Sequence, residues 1–131
     1  MVSRWPVAST VTVQPHELDS AGRLTDAGAQ RVFAHARQTY FDECTTLDGV
    51  EMTVGRTDVR IGDGVVAGVV EVLVGVVEIY PDSFTMRARI RPREGEGIAA
   101  DCESLLSVAG ELPRACVDEF IARAHDARHM G

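Results

Sequence analysis

Asp19 is a carboxylate in a position where it could do chemistry. It follows an alternating segment and precedes Gly22, and a helix is predicted to begin near Thr25 or Asp26. A carboxylate beside the free N–H groups of a helix N-terminus could attack an acyl carbonyl or activate water, while the N–H groups stabilise the oxyanion. The commoner role of an Asp before a glycine turn is to close that turn. The local sequence leaves both roles open.

The sequence gives little support to a catalytic site built on histidine, serine or cysteine. His16 and His35 are expected at the surface, because one precedes Asp19 on a strand and the other is off the apolar stripe of the predicted helix. No Gly-x-Ser-x-Gly elbow is present, so a serine hydrolase is not indicated. The three cysteines, Cys44, Cys102 and Cys116, fit neither a disulfide framework nor a zinc spacing. We therefore expect no metal and no cofactor.

The charge of the chain limits its partners. The net charge is −7, which argues against nucleic-acid binding. All 13 basic residues are arginine, so lysine Schiff-base chemistry is excluded. Any cationic contact to a ligand would come from a planar guanidinium group, which suits phosphate or carboxylate. Arginines alternate from Arg87 to Arg93. They could bind phosphate, or they could keep an exposed strand face soluble.

Two elements must position Asp19. Residues from Val7 alternate with a period of two, which predicts a strand ending near Leu18. The next segment, from Thr25 to about Glu43, predicts a helix capped by Thr25 or Asp26. Its apolar residues recur at helical spacing and should form the buried side: Ala29, Val32, Phe33, Ala36 and Tyr40.

The remainder of the chain predicts strands. We expect strands over Met52–Ile61, Val65–Tyr80, Ser83–Arg91 and Ile98–Val108, with Gly68 and Gly75 as β-bulges and a final helix from Pro113. Residues 93–97 are expected to form a hairpin loop. Residues 1–131 thus predict one α+β domain with a mostly antiparallel five-stranded sheet. The apolar stripe of one helix can bury only part of a five-stranded sheet, so we expect the protein to bury the remaining surface by self-association.

The motif around Asp19 resembles the start of the 4-hydroxybenzoyl-CoA thioesterase family of hotdog-fold enzymes. Members open with an alternating strand, an acidic-x-Asp-x-x-Gly element and a helix ending in Ala-Arg. Glu17-Leu18-Asp19 and Gly22 match that element, and Ala36-Arg37 follows at the family's interval without a gap. Farther on, Val72–Ser83 resembles the third strand and its turn serine, and Leu112-Pro113 resembles the closing Leu-Pro. The resemblance implies a long central helix wrapped by the five-stranded sheet.

The resemblance also implies roles for individual residues. Asp19 would be the catalytic carboxylate, either as nucleophile or as base for water, and the backbone N–H of Asp26 would be the oxyanion donor. The chain departs from the family pattern in its side chain at Asp26 and in lacking basic residues at Tyr80-Pro81-Asp82, just before the turn serine. The residues expected to contact the acyl group or CoA are Gly22, Thr25, Ala29, Ser83, Arg87 and Arg89.

The function implied by the resemblance is hydrolysis of an acyl-CoA or acyl-carrier-protein thioester to a free acid and a thiol. The alternatives are a noncatalytic acyl- or CoA-binding hotdog protein and a hotdog dehydratase or hydratase. The last of these needs a catalytic His where this chain has Leu24. The N-terminal residues lack an apolar run of signal-peptide length, and no segment is long enough to span a membrane. We expect a cytoplasmic protein that forms dimers or tetramers.

Overall fold

The computed structural model describes residues 7–66, 68–93 and 97–130. One five-stranded sheet and two helices make up most of this part of the chain. Their bounds in chain order are β1 Val7–Thr12, α1 Asp26–Asp42, β2 Met52–Ile61, β3 Val69–Ile79, β4 Ser83–Pro92, β5 Ala100–Val108 and α2 Arg114–Met130. This is the α+β arrangement predicted from the sequence.

The sheet is antiparallel throughout, with the strand order β1-β3-β4-β5-β2. The strands β1 and β2 therefore form its two edges. Side chains alternate between an inner face, which packs against the helices, and an outer face. On β4, for example, Phe84 and Ile90 are fully buried on the inner face, whereas Arg87 is exposed on the outer face.

Helix α1 covers part of the inner face with the stripe that the sequence predicted. All five stripe residues, from Ala29 to Tyr40, are 3% exposed or less. They belong to the same core as the buried valines of β3, and α2 extends that core through Phe120, whose ring centroid lies 4.9 Å from that of Phe84. The helix has 17 residues, from Asp26 to Asp42. None of the helices in the described ranges is long and apolar enough to cross a bilayer.

The first strand is shorter than predicted. It ends at Thr12 rather than near Leu18, and a 3₁₀ turn, Pro15–Glu17, follows it. Pro15 has no N–H to donate to a strand ladder, and the carboxylate of Glu17 accepts a hydrogen bond from the N–H of Gln14 at 2.9 Å. This turn carries the chain away from the sheet before Asp19.

The bulge predictions were wrong in position. Gly75 pairs in regular register with Arg87, and the irregularity in β3 falls one step later, between Val76 and Glu78. Gly68 lies outside the strand, just before β3, with a φ of +80°. A second irregularity, between Val54 and Arg56, interrupts β2. The strands β3 and β5 also begin later than predicted, at Val69 and Ala100. The predicted hairpin loop lies partly on residues 94–96, which are outside the described residues.

Candidate active site

Asp19 lies in a tight turn that its own carboxylate closes. Its Oδ1 accepts hydrogen bonds from the N–H groups of Ala21 at 2.8 Å and Arg23 at 3.0 Å. Its backbone N–H donates to the carbonyl of Arg23 at 2.8 Å, and its carbonyl accepts from Gly22 at 3.1 Å. Gly22 has a φ of +79°, a left-handed conformation that glycine adopts without strain. The turn fixes the orientation of the carboxylate.

The second oxygen of Asp19 is less constrained. Oδ2 lies 3.6 Å from Nε of Arg23, and the side chain is 38% exposed. The N–H of Arg23, with a further contribution from that of Ala21, lowers the pKa of the Asp19 carboxyl below its ordinary value. Asp19 is therefore an ionised carboxylate with one fixed oxygen and one accessible oxygen.

The N-terminus of α1 is attached directly to the segment that precedes Asp19. The carbonyl of Glu17 accepts from the N–H of Thr25 at 2.9 Å and from its hydroxyl at 3.1 Å. Thr25 is the N-cap, since its Oγ1 accepts from the N–H of Gly28 at 3.0 Å. Gly28 allows this close approach, because a Cβ there would lie 2.8 Å from both the Cβ and the carbonyl oxygen of Glu17.

Two N–H groups at this helix end remain available. The cap engages Gly28 and Ala29, but within the described ranges the N–H groups of Asp26 and Ala27 have no protein acceptor. The side chain of Asp26 does not occupy them: its Oδ2 accepts from Nε2 of Gln30, one turn along the helix, at 3.0 Å. The helix dipole and these N–H groups favour a negative charge at this position.

An ion pair between a buried carboxylate and a partly exposed guanidinium supports the same region. Glu17 is 5% exposed, and its carboxylate accepts from Nε and from Nη2 of Arg31, the latter at 2.8 Å. The same guanidinium donates to the carbonyl of Thr12 at 2.8 Å. Arg31 therefore connects α1 to the end of β1 and to the 3₁₀ turn, and it lowers the pKa of Glu17. No role was predicted for Arg31 from the sequence.

The predicted site residues fall into two groups. Asp19, Gly22, Thr25 and Asp26 belong to the turn and helix end described above. Ala29 is fully buried in the core beneath α1.

The remaining predicted residues lie on the outer face of β4. Ser83 begins the strand and is half-buried. Arg87 and Arg89 form ion pairs with carboxylates of β5: Arg87 with Glu103 at 3.4 Å and Arg89 with Asp101 at 2.8 Å. These two arginines are therefore largely neutralised. The exposed side chains of His16 and His35 agree with their predicted surface positions.

Comparisons with known proteins place this geometry in context. No protein-family model matches the chain, and no curated protein matches it. Solved structures do match. A thioesterase from Thermus thermophilus, complexed with coenzyme A and zinc, is 22% identical with a TM-score of 0.74, covering 90% of this chain and 93% of its own.

Two further structures are more distant in sequence but similar in fold. A gentisyl-coenzyme A thioesterase is 13% identical with a TM-score of 0.68, covering 87% of this chain and 98% of its own. A 1,4-dihydroxy-2-naphthoyl-CoA thioesterase from Synechocystis is 10% identical with a TM-score of 0.70, covering 86% of this chain and 93% of its own. The chain therefore shares the hotdog fold of these three structures. The resemblance inferred from the sequence is thus confirmed at the level of fold.

The Asp19 turn and the N-terminus of α1 are adjacent in the chain and are joined by the hydrogen bonds of Thr25 to the carbonyl of Glu17. The described residues contain no group of three His, Cys, Asp or Glu side chains suited to a metal ion. The chemistry available at the turn is that of a carboxylate and backbone donors. In general, a carboxylate can act as a nucleophile or base toward an acyl group, and backbone N–H groups can stabilise an oxyanion.

Proposed function

We propose that this protein is a thioesterase that hydrolyses an acyl-CoA or acyl-carrier-protein thioester to a free acid and a thiol. The observations that support the proposal are the ionised Asp19 carboxylate and, seven residues on, the helix N-terminus, where the N–H groups of Asp26 and Ala27 have no protein acceptor in the described ranges. The hotdog fold shared with named thioesterases adds to it.

The proposed reaction uses two parts of the site. The accessible Oδ2 of Asp19 either attacks the thioester carbonyl, forming a mixed anhydride that water then cleaves, or removes a proton from the attacking water. The N–H groups of Asp26 and Ala27 donate to the oxyanion of the tetrahedral intermediate. The C–S bond then breaks, and the thiolate takes up a proton as it leaves.

A second function is a hotdog protein that binds acyl-CoA without turning it over. The observation that favours it is the engagement of Asp19 Oδ1 by two N–H groups of its own turn, as expected for a purely structural carboxylate. A lowered pKa also makes Asp19 a weaker base.

Thiol release separates the two functions. Purified protein is incubated with a panel of short-chain, long-chain and aromatic acyl-CoAs, and free thiol is measured along with bound ligand. We expect thiol release well above the uncatalysed rate with at least one acyl class. Retention of ligand without thiol release across the panel would favour the binding protein and contradict the thioesterase.

We further propose that the enzyme self-associates through the β2 edge, as a dimer or as a tetramer of such dimers. This edge offers unpaired backbone groups, and its inner face exposes apolar side chains that α1 does not cover, Val54 at 42% and Ile61 at 40%. A second copy at this edge would extend the sheet and cover both residues. The free state of the cysteines Cys44, Cys102 and Cys116 fits the cytoplasmic location expected from the sequence.

A further inference from the structure

An open groove crosses the outer face of the sheet beside β2. Its volume is about 610 Å³, and its lining includes Arg56, Arg60, Tyr80 and Ser83. The groove continues into a second one of about 420 Å³ along β4 and β5, with which it shares Arg60 and other charged residues. Both volumes lie in the range of small-molecule sites.

The arginines that line the two grooves are of two kinds. Arg87 and Arg89, on β4, are paired with carboxylates of β5. No ion pair engages Arg56 or Arg60 within the described ranges. These two arginines stand on the same face of β2, four residues and therefore about 13 Å apart along the strand. Over the two grooves together, four arginines face three carboxylates, Asp58, Asp101 and Glu103, which leaves one excess positive charge in a chain of net charge −7.

The end of the groove at Arg60 is connected to the Asp19 turn through Asp63 and Arg23. Arg60 is three residues before Asp63, so at most about 10 Å of chain separates them. Oδ1 of Asp63 lies 3.9 Å from Nη1 of Arg23, the residue whose Nε is 3.6 Å from Asp19. From Arg60 the groove leads along β2 to the turn between β3 and β4. Tyr80 lies there with 44% of its surface exposed.

We propose that this groove binds the nucleotide half of coenzyme A, with Arg56 and Arg60 on its phosphates. The planar guanidinium groups of the two arginines can each donate two hydrogen bonds to phosphate oxygens. The hydroxyl of Ser83 can donate to a phosphate as well. The exposed ring of Tyr80 offers a surface on which a purine can stack. The pantetheine arm then runs from Arg60 toward Asp19. The inference rests on the proposed function and deepens it, because it selects CoA over an acyl-carrier protein as the carrier.

Calorimetric titration of the intact protein tests the groove without requiring turnover. The probes are CoA, 3′-dephospho-CoA and pantetheine, and the variants are Arg56→Gln, Arg60→Gln and the double variant. Arg114→Gln is the control, because Arg114 is equally charged, 88% exposed and located on α2. All three substitutions alter exposed side chains, so the thermal unfolding of the four variants should change little.

The groove predicts a specific pattern of affinities. Each single variant should raise the Kd for CoA about threefold and the double variant about tenfold, as expected for exposed charge pairs. The Kd for pantetheine should be unchanged in these variants, and the Kd for CoA should be unchanged in the Arg114→Gln protein. Asp58→Asn should tighten CoA binding, since a like charge near the phosphates is removed.

Three results would overturn the assignment. These are an unchanged Kd for CoA in the double variant, an equal loss of pantetheine affinity, or the same loss in Arg114→Gln. A double variant that keeps its CoA affinity but loses molecular mass in light scattering would show that the groove binds a second copy instead. Tight, Arg56- and Arg60-dependent CoA binding by a protein that releases no thiol would support the groove while rejecting the thioesterase.

Discussion

The two oxygens of Asp19 have different environments, and this difference allows a structural and a catalytic role in one residue. Oδ1 closes the turn through two N–H groups, whereas among the described residues the polar contact of Oδ2 is the one with Arg23 at 3.6 Å. The turn limits the motion of the carboxylate and thereby orients the accessible oxygen. The two roles left open by the sequence are therefore compatible.

The ionisation of Asp19 predicts the acid side of the pH profile. The N–H groups of Arg23 and Ala21 lower the pKa of Asp19. The carboxylate therefore stays charged at pH values below about 3.9, the ordinary pKa of an aspartate. The stability from these bonds is likewise present above that value and is lost as the pH falls through the lowered pKa. Measured kcat/KM should show no acid limb between about pH 5 and pH 8. A limb centred near pH 6 would require a raised carboxyl pKa and would contradict the assignment.

The sequence could predict part of this site and not the rest. Asp19, Gly22 and Thr25 lie within one local segment, so turn and capping preferences were enough to place them. The partners of Arg87 and Arg89 depend on the register between β4 and β5, which separates paired residues by more than ten positions. The role of Arg31 also depends on a distant contact, since Glu17 lies 14 residues before it.

At the scale of elements, α1 positions the candidate site through its contact with the 3₁₀ turn. Gly28 makes this contact possible, and Gly28→Ala tests it. Alanine alone would favour the helix by about 1 kcal/mol, but its Cβ would lie 2.8 Å from the backbone of Glu17. We expect a net loss of about 1–3 kcal/mol in the free energy of unfolding and a lower kcat, because the Asp19 turn is displaced.

Denaturant unfolding and thioester hydrolysis measure the two effects. The control is Ala34→Gly at an exposed position of the same helix, which should lose about 1 kcal/mol of stability with unchanged kcat. A Gly28→Ala protein that is more stable than the parent and fully active would show that the contact does not position the site.

The buried stripe of α1 gives a second prediction for this element. Phe33 is 3% exposed within the core. Truncation by Phe33→Ala should lower the free energy of unfolding by about 3–5 kcal/mol, because it leaves a cavity. His35→Ala, at an exposed position two residues later, should change it by less than about 0.5 kcal/mol. Equal losses in both variants would refute the assignment of the buried face.

Elements with a clear period were the most predictable. The stripe of α1 and the alternation of β4 each reflect burial on one side, so the sequence showed them directly. The end of β1 was misplaced because Val13 continues the alternation although the strand has already ended at Thr12. Val13 is buried at 4% exposure without belonging to the strand. The irregularity in β3 falls at Val77, which no residue type marks.

For the whole molecule, the unpaired β2 edge is the surface that a second copy would cover. Ile61 lies there with 40% of its surface exposed, and Ile121 is 50% exposed on α2. If copies join through β2, Ile61→Glu should weaken the assembly by introducing a charge into the interface, whereas Ile121→Glu should not. Both residues are exposed in the single chain, so both variants should fold. Light scattering at micromolar concentration measures the mass, and a parent protein that is already monomeric would defeat the proposal.

The central claim is that Asp19 performs the chemistry of thioester hydrolysis, and the kinetics of Asp19→Asn test it most directly. Asparagine keeps the shape and an oxygen that can accept the two turn N–H groups, but it removes the charge. The matched control is Asp63→Asn, an exposed carboxylate that contacts the same Arg23. We predict that Asp19→Asn lowers kcat by about 10²-fold or more while the Kd for a nonhydrolysable acyl-CoA analogue stays within about threefold, because the lost interaction belongs to the transition state. Full thioesterase activity in Asp19→Asn, or an equal loss in Asp63→Asn, would contradict the account.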